Sequence, residues 1–401
     1  MRYFYYYFRP WVLILKILGI FPLDNILSAD PKKLKVKRFG MSVVYSTVIF
    51  ATCIAILVIY SGAAFHVETV NEKSLQAVVL FSSARSIICL LAFSRDCKKL
   101  PSLINILNIY DQKKEELNFG KRRSFWYNIF VWTVLPIFLS FLLAAIYTFL
   151  SACITMGIFS PDIRYGRKGF FAALALGFLS IWHTFPLSLY IYFSAKIIHN
   201  FSELNESLIQ ENIVGNYLEL PKKLMNLEII SKYKYLHNML SQCVYHLEYA
   251  YGTALAVDQI CVMGILIVNF AVYIWLYLLA DNWALLAITA VSILLALTVL
   301  LTSQRIKEEG NEIVNILHRM PTKSISDECL KELQTFMIQI HVRPVEISAS
   351  GYFTLDKRQI LNIITQVSTY LIVVCQLVQS YYQYNNQQNS NSTHIVNTDV
   401  N

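Results

Sequence analysis

Seven apolar stretches, each about as long as a bilayer core is thick, constrain this chain more than any other feature. They cover approximately 41–60, 75–93, 125–150, 170–191, 252–280, 283–303 and 359–380. A hydrocarbon core of about 30 Å takes roughly 20 helical residues, and backbone polar groups within it must be satisfied inside the segment. The stretches therefore predict an all-α membrane protein with seven transmembrane helices. Composition agrees: 56% of 401 residues are hydrophobic and 15% charged, against about 45–50% and 25% in soluble domains.

Lysine and arginine predict the orientation. Segments 1–40, 94–124, 196–252 and 303–358 hold 29 of the 34, whereas the alternate loops and the tail hold four and Arg85 lies within the second span. By the positive-inside rule the N-terminus is cytoplasmic and the C-terminus, after seven spans, is outside. The net charge of +8 is then a topology signal, and no nucleic-acid partner is expected. The Tyr- and Phe-rich start, with Trp11, suits a helix lying in the membrane interface.

Five regions follow. Residues 1–40 form a cytoplasmic segment with the interfacial helix, and 41–303 hold six spans and their cytoplasmic helical loops. Residues 304–358 form a cytoplasmic anchor, 359–380 the seventh span, and 381–401 a polar outer tail expected to be disordered. Basic segments 94–124, 196–252 and 304–350 carry apolar residues at helical spacing, such as Leu103, Ile106, Leu107 and Tyr110, and should pack into a helical base. Pro101, Pro221, Pro321 and Pro344 mark breaks between helices. In the tail, Asn391-Ser392-Thr393 is a glycosylation triplet on the outer side, whereas the triplets at Asn200 and Asn205 are predicted cytoplasmic and silent.

The seventh span has a polar stripe. Gln359, Asn362, Gln366, Thr369, Gln376 and Ser380 recur at steps of three and four, with Val373 in the one apolar slot. Leaving a polar group buried and unpartnered costs roughly 1–3 kcal/mol, so this face needs water or polar neighbours. It either lines a pore or hydrogen-bonds inside a bundle. No catalytic constellation, phosphate loop or metal-ligand spacing stands out, so neither enzyme activity, cofactor nor metal is expected. His183, in the fourth span, reads as a hydrogen-bonded packing residue, and Asp258 is the one acid well inside a span.

Thr369-Tyr370, five apolar residues and Gln376-Leu377 resemble the Thr-Tyr, five hydrophobics, Gln-Phe motif of insect gustatory receptors. Upstream, Ser350-Gly351-Tyr352-Phe353-Thr354-Leu355-Asp356 resembles the entry to the same helix, and Leu18-Gly19-Ile20-Phe21-Pro22 is typical of the family. The detailed likeness covers 330–378. It departs at Leu377, where the family carries Phe. The absence of a Glu after Tyr370 is unlike the sugar-receptor branch, which leaves the bitter-type and fructose-type groups.

The resemblance implies a tetrameric, ligand-gated, non-selective cation channel in the plasma membrane of a sensory-neuron dendrite. Its ligand would be a small tastant, bitter-type or alternatively fructose, and it would assemble as a homotetramer or with sister receptors, bounded by membrane lipid. Monovalent and divalent cations would permeate. The seventh helices would line the pore through Thr369, Tyr370, Val373 and Ser380, with Gln376 and Leu377 at the constriction. The ligand pocket, in the outer halves of spans two to six, would draw on Arg85, Tyr147, Phe178, Trp182, Asn269, Phe270 and Tyr273. Two other classes stay open. A G-protein-coupled receptor would place its N-terminus outside, and a transporter would be expected to show internal repeats, neither of which the residues suggest.

Overall fold

The computed structural model describes residues 4–17, 23–24, 35–36, scattered positions between 44 and 58, 84–117, 131, 134–155, 166–213, 227–276, 283–319 and 326–398. Nearly all are helical. A two-residue antiparallel pair, β1 (Leu23–Asp24) with β2 (Lys35–Val36), is the one ladder among them, with Leu23 opposite Val36. In chain order the helices are α1 (Phe4–Ile17), α2 (84–96), α3 (Leu100–Glu116), α4 (Leu135–Thr155) and α5 (Gly166–Ile213). They continue with α6 (Leu227–Leu276), α7 (Trp283–His318), α8 (Asp327–Val342) and α9 (Arg358–Thr398). The segments Leu227–Ala271, Thr289–His318 and Arg358–Tyr381 are long and apolar enough to cross a membrane.

The spans and the base are built from the same helices. α5 and α6 are 48 and 50 residues long, about 70–75 Å at 1.5 Å per residue, so each runs well beyond a bilayer core without a break. Pro186 sits inside α5, where it removes one backbone donor and leaves the helix continuous. α2 passes through a short 3-10 turn, Cys97–Lys99, into α3, as the apolar spacing of 94–124 predicts. Pro101 occupies the first turn of α3, where a missing N–H costs nothing.

The base core follows from helical spacing. α3 buries Leu100, Leu103, Ile104, Leu107 and Tyr110, and it packs on α6. α8 starts at Ser326, whose hydroxyl accepts from the Cys329 N–H at 3.4 Å, with Asp327 and Glu328 in its first turn. Both features favour a helix N-terminus. It buries Cys329, Leu333, Phe336 and Ile340 and ends at Arg343, one residue before Pro344. A fully buried Leu or Phe in such a core contributes about 1.5–3 kcal/mol. Around the rim, Lys114 pairs with Glu203, Lys196 with Asp111 at 3.3 Å, and Lys234 with Glu332 at 2.8 Å.

Two elements differ from expectation. α1 does more than lie in an interface: Phe8 and Trp11 are buried, packing on Tyr192, Phe193 and Phe185 of α5 at ring separations of 5.0–6.0 Å. Aromatic rings gain more from mutual packing than from a headgroup layer when a partner helix supplies them. The polar tail after Tyr384, expected to be disordered, continues α9 as a helix to Thr398. No Gly or Pro follows Gly351 before that point, so nothing in the backbone stops the helix once it has started.

Candidate functional site

α9 meets its own chain along one narrow seam. Val367 is buried, and Ile363 and Leu371 pack beside it on Val262, Leu266 and Ala296 of α6 and α7. Ile360 reaches the main core one turn earlier. Only 6% of its most apolar stretch is buried, against 50% and 44% for the corresponding stretches of α6 and α7. At 100° per residue, Gln366, Thr369, Val373 and Gln376 lie about 100–180° around the helix from Val367. The polar stripe therefore points away from the seam, and Asn362, Gln366, Thr369, Val373, Gln376 and Ser380 are exposed. Tyr370 and Leu377 are exposed as well, at 55% and 65%.

Several stripe groups satisfy themselves along the helix. Thr369 Oγ1 donates to the Thr365 carbonyl at 2.9 Å and Ser380 Oγ to the Gln376 carbonyl at 2.9 Å, while Asn362 Nδ2 donates to Gln359 Oε1 at 2.7 Å. The Gln366 and Gln376 amides extend from the open face.

A tight hairpin launches α9. The Tyr352 N–H donates to the Ala349 carbonyl at 3.1 Å, and Ser350 and Gly351 have φ of +54° and +80°. Two consecutive left-handed residues make a type I′ turn, for which Gly at the second position is well suited. Flanking bonds from Ala349 N to Phe353 O (2.8 Å) and from Leu355 N to Ile347 O (2.9 Å) close the hairpin. Asp356 then caps α9: its Oδ1 accepts from Arg358 N at 2.9 Å and its carbonyl from Gln359 N at 3.1 Å. The turn rests on α6, where a Cβ at Gly252 would lie 2.9 Å from Ser350 N, and Thr253 Oγ1 is 2.7 Å from Ser350 Oγ.

A second polar node lies inside the bundle. Asp258 of α6 accepts hydrogen bonds on Oδ1 from Arg85 Nε at 2.9 Å and from His183 Nε2 of α5 at 2.8 Å, and Arg85 Nη2 makes an ion-pair contact with the same oxygen at 2.7 Å. Cys89 Sγ is 3.9 Å from it. Arg85, His183 and Asp258 are almost wholly buried. Because Oδ1 is an acceptor, His183 holds its proton on Nε2, so one carboxylate oxygen joins α2, α5 and α6. Cys89, His183 and Asp258 also stand close enough to be considered as metal ligands. The Arg85 guanidinium, however, already supplies at Asp258 the positive charge a divalent ion would bring, so the donor set does not fit a metal.

The sequence-derived pocket residues fall into separate places. Arg85 is engaged by Asp258, which lies eleven residues along α6 from Asn269, about 16 Å of helix rise. Asn269 is buried and donates from Nδ2 to Thr289 Oγ1 of α7 at 2.7 Å. Its Oδ1 has no partner among the described residues. Phe270 is half-buried beside the Val262–Leu266 cluster. Tyr147, Phe178, Trp182 and Tyr273 lie on helices α4, α5 and α6, but their side chains are outside the described residues, as is that of Asn391. Asn200 and Asn205, by contrast, are 0% and 5% exposed, and Asn205 donates to the Glu309 carbonyl at 2.9 Å, so burial itself withholds both triplets from modification. The Arg85–His183–Asp258 node could not be read from the sequence, because its members are up to 173 residues apart. The available signal was two isolated charges in apolar spans, which seldom go unpaired in a membrane.

The description of a 7tm chemosensory receptor family matches residues 8–381. The chain belongs to the 7tm chemosensory receptor family. The fold of this chemosensory receptor is similar to that of the insect olfactory receptor OR5 from Machilis hrabei. The structure of OR5 in complex with eugenol aligns with a TM-score of 0.66 at 13% identity, covering 93% of this chain and 99% of that one. The structure of OR5 described without eugenol gives 0.65 at 15% identity with the same coverage. The seven-helix architecture expected from the hydropathy pattern is thus that of an insect chemoreceptor. A sequence search of curated proteins returns no match.

Proposed function

We propose that this chemosensory receptor is a ligand-gated, non-selective cation channel of the gustatory type, opened by a bitter-type small molecule. The observation that carries the reading is α9: an apolar helix with only 6% of its span buried by its own chain and a polar stripe on the side opposite its seam. Lipid would suit the apolar part and penalise the stripe. Four copies around an axis would give the stripe a water-filled lumen. The same packing would cover the apolar flanks with neighbouring subunits and surround the assembly with lipid.

In this arrangement Gln376 and Leu377 form the constriction, with Val373, Thr369, Tyr370 and Ser380 along or beside the path. A ring of Leu377 closes by dewetting, and the absence of an acidic ring after Asp356 leaves selectivity among monovalent cations weak. Tyr147, Phe178, Trp182, Asn269, Phe270 and Tyr273 bound the ligand pocket. Asn269 offers as a polar anchor its carbonyl oxygen, which has no partner among the described residues. OR5 holds eugenol, so small organic molecules are the class to test first. The N-terminus is cytoplasmic, the base is the cytoplasmic anchor, and the receptor resides in the plasma membrane of a sensory-neuron dendrite, alone or with sister subunits. The test is expression in a heterologous cell exposed to a panel of bitter compounds and sugars. An agonist-evoked current reversing near zero supports the channel. A purely second-messenger response with no conductance overturns it.

A further inference from the structure

We infer that Arg85, His183 and Asp258 form a joint that holds the pore helix α9 in its resting position. They act as positioning residues through α6, touching neither ligand nor permeant ion. The inference rests on the channel reading and adds to it a route from the bundle to the pore.

Three observations carry it. First, α2, α5 and α6 meet on a single oxygen, Oδ1 of Asp258, through an Arg85 Nε hydrogen bond, an Arg85 Nη2 ion-pair contact and a hydrogen bond from His183. Side-chain exposure is 4% for Arg85 and 1% for Asp258, so bulk water does not reach this oxygen. Any relative movement of these helices must stretch bonds to one atom. Second, α6 is unbroken from Asp258 to Thr253 and Gly252, about 9 Å away at 1.5 Å per residue. Third, those two residues are the platform for the turn that launches α9. Gly252 leaves no room for a Cβ beneath the Ser350 backbone, and Thr253 and Ser350 touch through their hydroxyls at 2.7 Å. The hairpin is closed on both flanks and capped by Asp356, so it transmits displacement instead of absorbing it.

The joint fixes α2, α5 and α6 in one relative arrangement. An agonist that parts α2 or α5 from α6 therefore works against it, and weakening the joint moves the resting balance toward the open form.

Arg85→Lys keeps the charge and loses the two-pronged contact. At matched surface density it should raise agonist-free current several-fold and lower the agonist concentration for half-maximal response. In a Gly252→Ala background, where the turn is already displaced, Arg85→Lys should have no additional effect. Should Arg85→Lys fail to reach the surface, His183→Gln, which leaves the Arg85–Asp258 pair intact, should produce the same change in smaller measure.

A readout without current is the rate of disulfide formation between Thr253→Cys and Ser350→Cys in isolated membranes given a copper(II) oxidant, which takes up the two electrons; it should fall when Arg85→Lys is added. An unchanged cross-linking rate overturns the joint whether or not the chain conducts. Unaltered resting current in Arg85→Lys also overturns it, as does agonist insensitivity with normal resting current, which would make Arg85 a ligand contact. Effects that add fully to those of Gly252→Ala overturn the route through α6. A wild-type chain that never conducts would defeat the channel reading alone, leaving the cross-linking rate to decide the joint.

Discussion

His237 makes the helical base sensitive to acid, and the size of the effect follows from its surroundings. The ring is 2% exposed and sits between Phe201 and Phe336 at centroid separations of 5.4 and 5.5 Å. Its Nε2 donates to the Gly310 carbonyl at 2.9 Å, so it is the neutral ring, protonated at Nε2, that ties α6 to α7. Burial lowers its pKa from the ordinary 6.5 to about 4, against a small opposing contribution from the Gly310 carbonyl. The unfolded chain therefore binds more protons than the folded one between these two values. The stabilisation is complete above pH 6.5 and is lost as the pH falls toward 4. Integrating the difference between pH 7 and pH 5 gives about 2 kcal/mol, enough to lower the thermal midpoint of a protein of this size by about 2 °C. His237→Gln keeps an amide donor for Gly310 but does not titrate. The assay is the thermal midpoint of detergent-solubilised protein at pH 7 and pH 5, at one scan rate, for both chains. His246, half-buried and also shifted downward by burial, contributes equally to both and cancels in the difference. Parallel losses in wild type and His237→Gln would refute the assignment.

Four further outcomes are expected. Gly310→Ala places a Cβ 2.6 Å from Val345 Cγ1 and 2.7 Å from Val345 Cβ, so it should destabilise the base by about 1–3 kcal/mol, read as a lower thermal midpoint and reduced surface delivery. Leu377→Ser should wet the constriction and raise resting current, whereas Val373→Leu, one turn deeper, should reduce it; patch-clamp recording at equal surface expression checks both. Trp182→Ala or Tyr273→Ala should shift the dose-response curve of an identified agonist without changing surface expression, and unchanged curves in both would move the pocket elsewhere. Tags at the two termini should be reached from outside only at the C-terminus, and glycosidase treatment should shift the wild-type band but not that of Asn391→Gln.

Local periodicity settled much of this protein before any fold was known. Each span is a run of apolar side chains whose own backbone closes its hydrogen bonds, so length and hydropathy suffice to identify it. The stripe from Gln359 to Ser380 was legible for the same reason, since positions three and four apart share a helical face whatever lies opposite. The hairpin at Ser350–Gly351 was not: the sequence showed a likeness to a family helix entry, and the left-handed backbone that glycine suits emerged only in the fold. Partnership between distant helices was not legible. Arg85 and Asp258 were visible only as two uncomfortable charges, and their meeting with His183 depends on how α2, α5 and α6 pack. Tertiary structure likewise decided that α1 would bury Phe8 and Trp11 against α5, and that Gly252 would floor the turn ahead of α9. It also decided which edge of α9, the one through Val367, would be claimed by its own bundle. Sequence spacing fixes which residues share a face, but only the assembled packing determines what that face meets.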